Sequence, residues 1–100
     1  MKYSEYAKEN FGQRVQVEAE YYRQQDHGKR TWVKLDMRPK LGMLIGIRYL
    51  MNGRVSWYED HSEWDPKGDP VPAWLVVYDH NTNPVYVPVG SMYVLRDLID

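Results

Sequence analysis

The stretch from Leu41 to Glu59 constrains the fold more than any other part of this 100-residue chain. Met43-Leu44-Ile45-Gly46-Ile47-Arg48-Tyr49-Leu50 is an almost continuous apolar run, too short to span a membrane and rich in β-formers. Such a run predicts a strand covered on both faces. Asn52-Gly53 follows, two residues that accept positive φ at little cost, as a tight type I′ hairpin turn requires. Arg54-Val55-Ser56-Trp57-Tyr58-Glu59 then reads as the antiparallel return strand. Gly46 interrupts the run where a packed side chain would be expected, which marks a bulge or a sharp bend.

The cleanest periodicity lies upstream. Val15, Val17, Ala19 and Tyr21 alternate with Arg14, Gln16, Glu18 and Glu20, a period of two that gives a strand one buried face. The polar segment Gln24–Lys29, containing Gly28, predicts a hairpin loop. Thr31–Met37 returns with Val33, Leu35 and Met37 expected inward and Trp32, Lys34 and Asp36 outward. Arg38-Pro39-Lys40 is expected to end that strand, because proline donates no ladder hydrogen bond. Before all of this, Ser4 is a candidate cap for a short helix reaching about Phe11, with Gly12 as its stop.

Beyond the central hairpin, Asp60 to Pro72 carries three prolines and several carboxylates and reads as a long loop; in a small domain such loops are disproportionately functional. Ala73–Tyr78 is a further apolar strand, Asn81–Pro84 a turn, and Val85–Val89 the strand running back, with Pro88 marking an edge or the end of pairing. Gly90–Tyr93 predicts a 3₁₀ turn, and Val94–Leu98 a closing strand or last helical turn. These elements add up to one all-β domain, a small barrel of about six antiparallel strands over 13–98 behind a helix at 1–12.

Composition narrows the function classes. Thirteen Lys and Arg against fourteen Asp and Glu leave a formal net charge of −1, which argues against a duplex nucleic-acid binder. No cysteine is present, so a disulfide framework and a thiolate metal site are both excluded. No run reaches membrane-spanning length and the polar first residues are unlike a signal peptide, so the expected setting is the cytoplasm, without a membrane partner. Nine Tyr and four Trp accompany a single Phe. Those are the aromatics with a polar handle, favoured on half-wet surfaces and at interfaces.

The C-terminal Val85-Tyr86-Val87-Pro88-Val89-Gly90-Ser91-Met92-Tyr93-Val94-Leu95 resembles the end of an SH3-type barrel. In that family a strand ends at a proline, a 3₁₀ turn follows, and a tyrosine-valine pair opens the last strand. One extra residue separates Pro88 from Tyr93, and the family's N-terminal ligand-binding motif is missing, so the resemblance implies an SH3-like barrel without proline-rich peptide binding. The longer pattern from Leu41 to Val89 resembles small accessory proteins of phages and prophages. That resemblance implies work by binding, either to a host protein or to a host signalling molecule, in the host cytoplasm.

Three sets of side chains are candidates for that binding. Trp57, Tyr58 and Trp64 are expected anchors for a protein partner, with Asp60, Glu63 and Asp65 steering them toward a basic patch; a host defence protein is the expected partner. Trp32, Tyr49, Arg48 and Arg54 form the alternative set, suited to stacking the base and holding the phosphate of a sequestered nucleotide. A homodimer through the edge of the Arg14–Tyr22 strand is a third expectation. The histidines at 27, 61 and 80 all fall in expected turns without metal-pair spacing, and Asp60-His61-Ser62 is a sequence neighbourhood rather than a triad. The acidic stretch fits no calcium-loop spacing. No catalytic residue, metal site or cofactor is therefore expected.

Overall fold

The period-two pattern of residues 14–20 folds as a strand with Val15, Val17 and Ala19 buried beneath it. In the computed structural model, which describes residues 2–79 and 83–98, antiparallel β-sheet dominates and one short helix precedes it. Helix α1 (Tyr3–Glu9) leads into β1 (Arg14–Asp26), β2 (Lys29–Trp57) and β3 (Ser62–Tyr78). Strand β4 (Val85–Pro88), a 3₁₀ turn (Val89–Ser91), β5 (Met92–Val94) and a four-residue helix α2 (Leu95–Leu98) complete the described chain. The hydrogen-bonded order is β2-β3-β4-β1-β5, with β1 also pairing β2. The β4–β1 link is a single residue pair, Tyr21 with Tyr86.

The core gathers Val15 and Val17 of β1, Leu44 of β2, Trp74 and Val76 of β3, and Val87 of β4. Full burial of each valine or leucine contributes roughly 1.5–3 kcal/mol. Helix α1 is too short to hold itself together. It docks through Ala7 and through Tyr3 and Tyr6, whose rings lie 5.8 and 5.2 Å from Trp74. Buried Asn10 fastens its end, donating to the Tyr6 carbonyl at 2.9 Å and accepting from Arg96 at 3.0 Å.

Away from this body the molecule is drawn out. Its principal extents are 57 × 27 × 21 Å, and its radius of gyration is 15.6 Å, against about 13 Å for a compact chain of this length. Strand β2 has 29 residues and would run about 95 Å if straight. It folds back on itself instead, so that its two ends meet: the Val55 amide donates to the Gly28 carbonyl at 2.7 Å, and the Trp32 amide to Asn52 Oδ1 at 2.8 Å. The β1–β2 and β2–β3 hairpins thereby lie side by side as a projecting arm, whose β3 residues from Ser62 to Pro70 are all exposed.

Several expectations are corrected. The described residues form five strands, not about six, because Thr31–Met37, Leu41–Leu50 and Arg54–Trp57 run on as one strand. Asn52 and Gly53 make no turn; they pair with Lys67 and Pro66 inside the β2–β3 ladder, and the reversal comes at Tyr58–His61. The stretch 60–72 is consequently not a long loop: Asp60 and His61 belong to the reversal, and 62–72 is the first part of β3. Pro39 does not stop β2, since Met37–Pro39 bulge out opposite Glu18, where no ladder bond is lost. Gly46 does sit at an irregularity, between Leu44 and Gly46.

Smaller corrections follow the same logic. Leu35 is 56% exposed and Val33 and Met37 only half-buried, because nothing covers the arm at that height. Trp32 is half-buried against Tyr86 rather than outward. Ser4 lies within α1 and gives no cap hydrogen bond; Lys2 takes the cap position. The 3₁₀ turn begins at Val89, and Met92 and Tyr93 belong to β5. Strand β1 carries β2 on one side and β5 or β4 on the other, so it is an interior strand and not the free edge expected for self-pairing. His80, Asn81 and Thr82 lie outside the described residues.

Candidate functional site

The arm holds its shape without a hydrophobic core, and its polar surface is unevenly distributed. Gly53 seats the indole of Trp64: a Cβ there would lie 2.5 Å from the ring and 2.6 Å from the Asp65 carbonyl. Only glycine leaves room at this height for an indole from the facing strand of the same hairpin. The Arg30 guanidinium sits over the other hairpin's Trp64 ring, 5.8 Å from its centroid. Its Nε is buried and has no hydrogen-bond partner among the described residues. Gly28, at φ +81°, makes the opposing turn possible and brings its backbone against Val55 and Trp57.

Two open hollows flank Arg30. The larger, about 710 Å³, is lined by Lys29, Arg30, Arg54 and Lys67 around the Asn52–Gly53 backbone. The smaller, about 240 Å³, brings Arg23, Arg30 and Arg48 together with Trp32, Tyr49 and Trp64. Six of the chain's cations therefore line the two hollows, which share Arg30, and Asp65, 2.9 Å from Lys67, is the one carboxylate lining them. The register sets Arg54 and Asp65 on the opposite face of the β2–β3 ladder from Val55 and Trp64, so the hollows open on different faces of the arm. Arg23, Lys29, Arg30, Arg48 and Arg54 form no ion pair among the described residues. Arg48 is steered by an aromatic instead, lying 5.6 Å over the Tyr86 ring and donating to its hydroxyl at 2.9 Å. Arginines gathered beside aromatic rings and held in no ion pair, as Arg23, Arg30 and Arg48 are among the described residues, make a receptive surface for planar, negatively charged groups.

The alternative set from the sequence is largely reunited here. Trp32, Tyr49 and Arg48 share the smaller hollow, Arg54 lies in the larger, and Arg30 joins the two. The set expected to grip a protein is divided. Trp57 and Tyr58 are 63% and 55% exposed at the hairpin tip, whereas Trp64 faces the arginines. Asp60 and Glu63 are engaged by His61, at 2.6 Å to Nδ1 and 3.2 Å to Nε2, and Tyr58 stacks on that imidazole at 5.0 Å. Both ring nitrogens of His61 thus face carboxylates, which leaves neither for Ser62. Among the described residues no cluster of three or more His, Asp or Glu could hold a metal ion, and no helix is long and apolar enough to cross a membrane.

Arg23, Lys29 and Lys67 were not legible as site residues. The available signal was cross-strand register, which sets Arg23 opposite Trp32 and Gln25 opposite Arg30 across the Gly28 turn. Two shifted groups lie in the body. Arg14 is raised by its hydrogen bond and ion pair with Asp79 at 2.8 Å. Tyr78 is pushed above the usual phenol range, chiefly by burial and then by its 2.7 Å hydrogen bond to Glu20 and that carboxylate's charge. No protein-family model, curated protein or solved structure matches the chain.

Proposed function

We propose that the protein is a non-catalytic binding protein whose arm captures a phosphate-bearing aromatic ligand of nucleotide type. One observation carries this reading: three arginines that form no ion pair among the described residues, Arg23, Arg30 and Arg48, share one hollow with Trp32, Tyr49 and Trp64. Guanidinium forks match phosphate oxygens in pairs, and a base stacked on an aromatic side chain adds about 1–3 kcal/mol. The doubly engaged His61 supports a role without chemistry. The strand–3₁₀–strand order at the C-terminus and the circuit of pairings through β1, β2, β3 and β4 support an SH3-like barrel as the scaffold.

The test is a titration of the labelled protein with the common nucleoside triphosphates, followed by amide NMR shifts. Shifts confined to residues 22–33 and 48–67, and lost in an Arg48→Glu/Arg54→Glu double variant, are expected. No shift at about 1 mM of any of them would sink the reading.

A second reading has its own observation. Trp57 and Tyr58 project at the tip beyond the hollows, beside Glu59 and Asp60, in the manner of an aromatic anchor for a protein. In that reading the chain is a phage-type accessory protein that inhibits a host defence protein in the host cytoplasm. Loss of a named partner on Trp57→Ala/Tyr58→Ala, with the arginine variants unaffected, would favour the tip over the groove.

A further inference from the structure

We infer that the occupant of the groove is a single-stranded nucleic acid several nucleotides long, bound along the arm over the hollow that Arg23, Arg30 and Arg48 share with Trp32, Tyr49 and Trp64. The inference rests on the nucleotide-type reading above and narrows it to a chain. The form of the site is the first reason. Pockets that sequester one small ligand enclose most of its surface, whereas these hollows are open and their rims, Arg23, Arg48, Tyr49 and Arg54, are exposed. Single-strand sites are grooves of this kind, with cations along the backbone path and aromatic faces for the bases.

Charge count is the second reason. Arg23 comes from β1, and Arg30 and Arg48 from separate stretches of β2, an arrangement that suits successive phosphates better than one phosphate group. The third is the exposure of aromatic faces. Bases in a duplex are stacked on one another and cannot lie on Trp64 or Tyr49; unpaired bases can. The carboxylates Glu59, Asp60 and Glu63 at the arm's tip repel a polyanion and bound the path at that end. The overall charge of −1 then describes a protein with one cationic track rather than a general polyelectrolyte.

The full chain would be titrated, with tryptophan fluorescence as readout, against an oligothymidylate of about ten nucleotides. Thymidine 5′-monophosphate, a duplex of the same length and polyglutamate of similar charge are the comparison ligands. The oligothymidylate is expected to bind at least about a hundredfold tighter than the monophosphate. With three phosphate contacts at about −0.7 each, its affinity should fall about twentyfold between roughly 50 and 200 mM salt. Arg23→Gln and Arg48→Gln, both exposed, should each reduce that salt slope by about 0.7 with circular dichroism unchanged. Arg38→Gln, outside both hollows, should leave binding as it is.

Equal affinity for the monophosphate would overturn the chain inference and leave the nucleotide-type reading standing. Equal affinity for the duplex would also overturn the inference, in favour of general polyelectrolyte binding. Polyglutamate binding as tightly would overturn both and assign the groove to an acidic protein. Binding of none of these ligands would likewise overturn both.

Discussion

The body and the arm are made from the same three strands, yet only one of them is packed. In the body, β1 buries Val15, Val17 and Ala19, and β3 buries Ala73, Trp74 and Val76. In the arm, β1 from Tyr22 to Asp26 and β3 from Ser62 to Pro70 are exposed throughout. A β-ladder anchored at one end in a core extends outward by backbone pairing alone, and two such hairpins steady each other through a few contacts. The side chains of the extension are then released from packing. Body and arm differ in what their residues are for: apolar volume in one, charge and aromatic faces in the other.

Truncating the same residue type in each region is the most direct way to break this contrast, and it carries the largest expected effect. Leu44→Ala removes a fully buried side chain from the core and should lower unfolding free energy by about 3 kcal/mol, within the roughly 2–5 kcal/mol range for such sites. Leu35→Ala, at 56% exposure on the arm, should change it by no more than about 0.5 kcal/mol. Urea denaturation of the pair decides the matter. Comparable losses would mean that the arm contributes to the core and the division is false.

The next effect lies inside the β2–β3 ladder of the arm. Gly53→Ala would place a methyl group 2.5 Å from the Trp64 ring and 2.6 Å from the Asp65 carbonyl. Backbone and indole must both yield, at a cost of about 1–3 kcal/mol. Trp64 fluorescence should change with it, and the cationic surface around Arg30 should lose affinity for its ligand. Unchanged stability and fluorescence would show that the Trp64 indole is not seated on Gly53.

Gly53 also shows why part of this fold was legible in the sequence and part was not. The alternation of residues 14–20 and the break at Gly46 are local signals, and both survive in the structure as the buried face of β1 and an irregularity in β2. Asn52-Gly53 carries an equally strong local signal for a turn, but distant partners use it differently. Asn52 Oδ1 accepts the Trp32 amide, twenty residues away, and Gly53 clears space for an indole. The actual reversal at Tyr58–His61 contains neither glycine nor proline and is closed by the Tyr58 amide on the His61 carbonyl at 2.8 Å. The prolines at 66, 70 and 72 suggested a loop; they sit in β3 where β4 does not reach, an edge on which proline is tolerated. Residues of the groove were recognisable by type at Trp32, Tyr49, Arg48 and Arg54, whereas their assembly around Arg30 depends on the fold-back of β2, which no short-range pattern encodes.

A smaller effect, confined to alkaline pH, sharpens the contrast from the body's side. The Tyr78 phenol is raised above its ordinary value of 10.0 by burial and by Glu20, so the folded state holds the proton more tightly than the unfolded state does. Below about pH 10 both states are protonated and this group adds no pH dependence. As pH rises past that value the unfolded chain ionises first, and stability falls. Tyr78→Phe should flatten the decline above pH 10 in urea midpoints measured across the alkaline range. An unaltered slope would assign the decline to other groups.

Trp57→Ala carries the smallest expected effect on stability and discriminates best between the two uses of the arm. The indole is 63% exposed, and its ring edge lies over the Gly28 backbone. Its removal should alter unfolding free energy by about 0.5 kcal/mol. A large, rigid aromatic held in water at that site contributes little to the fold, so its contribution is to be sought in binding. If the groove around Arg30 is the binding surface, Trp57→Ala leaves oligothymidylate affinity within about twofold, because Trp57 lines neither hollow. If the tip is the binding surface, the same variant abolishes capture of a protein partner while Arg48→Gln does not. The two variants, measured against both ligands, separate a nucleic-acid track along the arm from a protein anchor at its end.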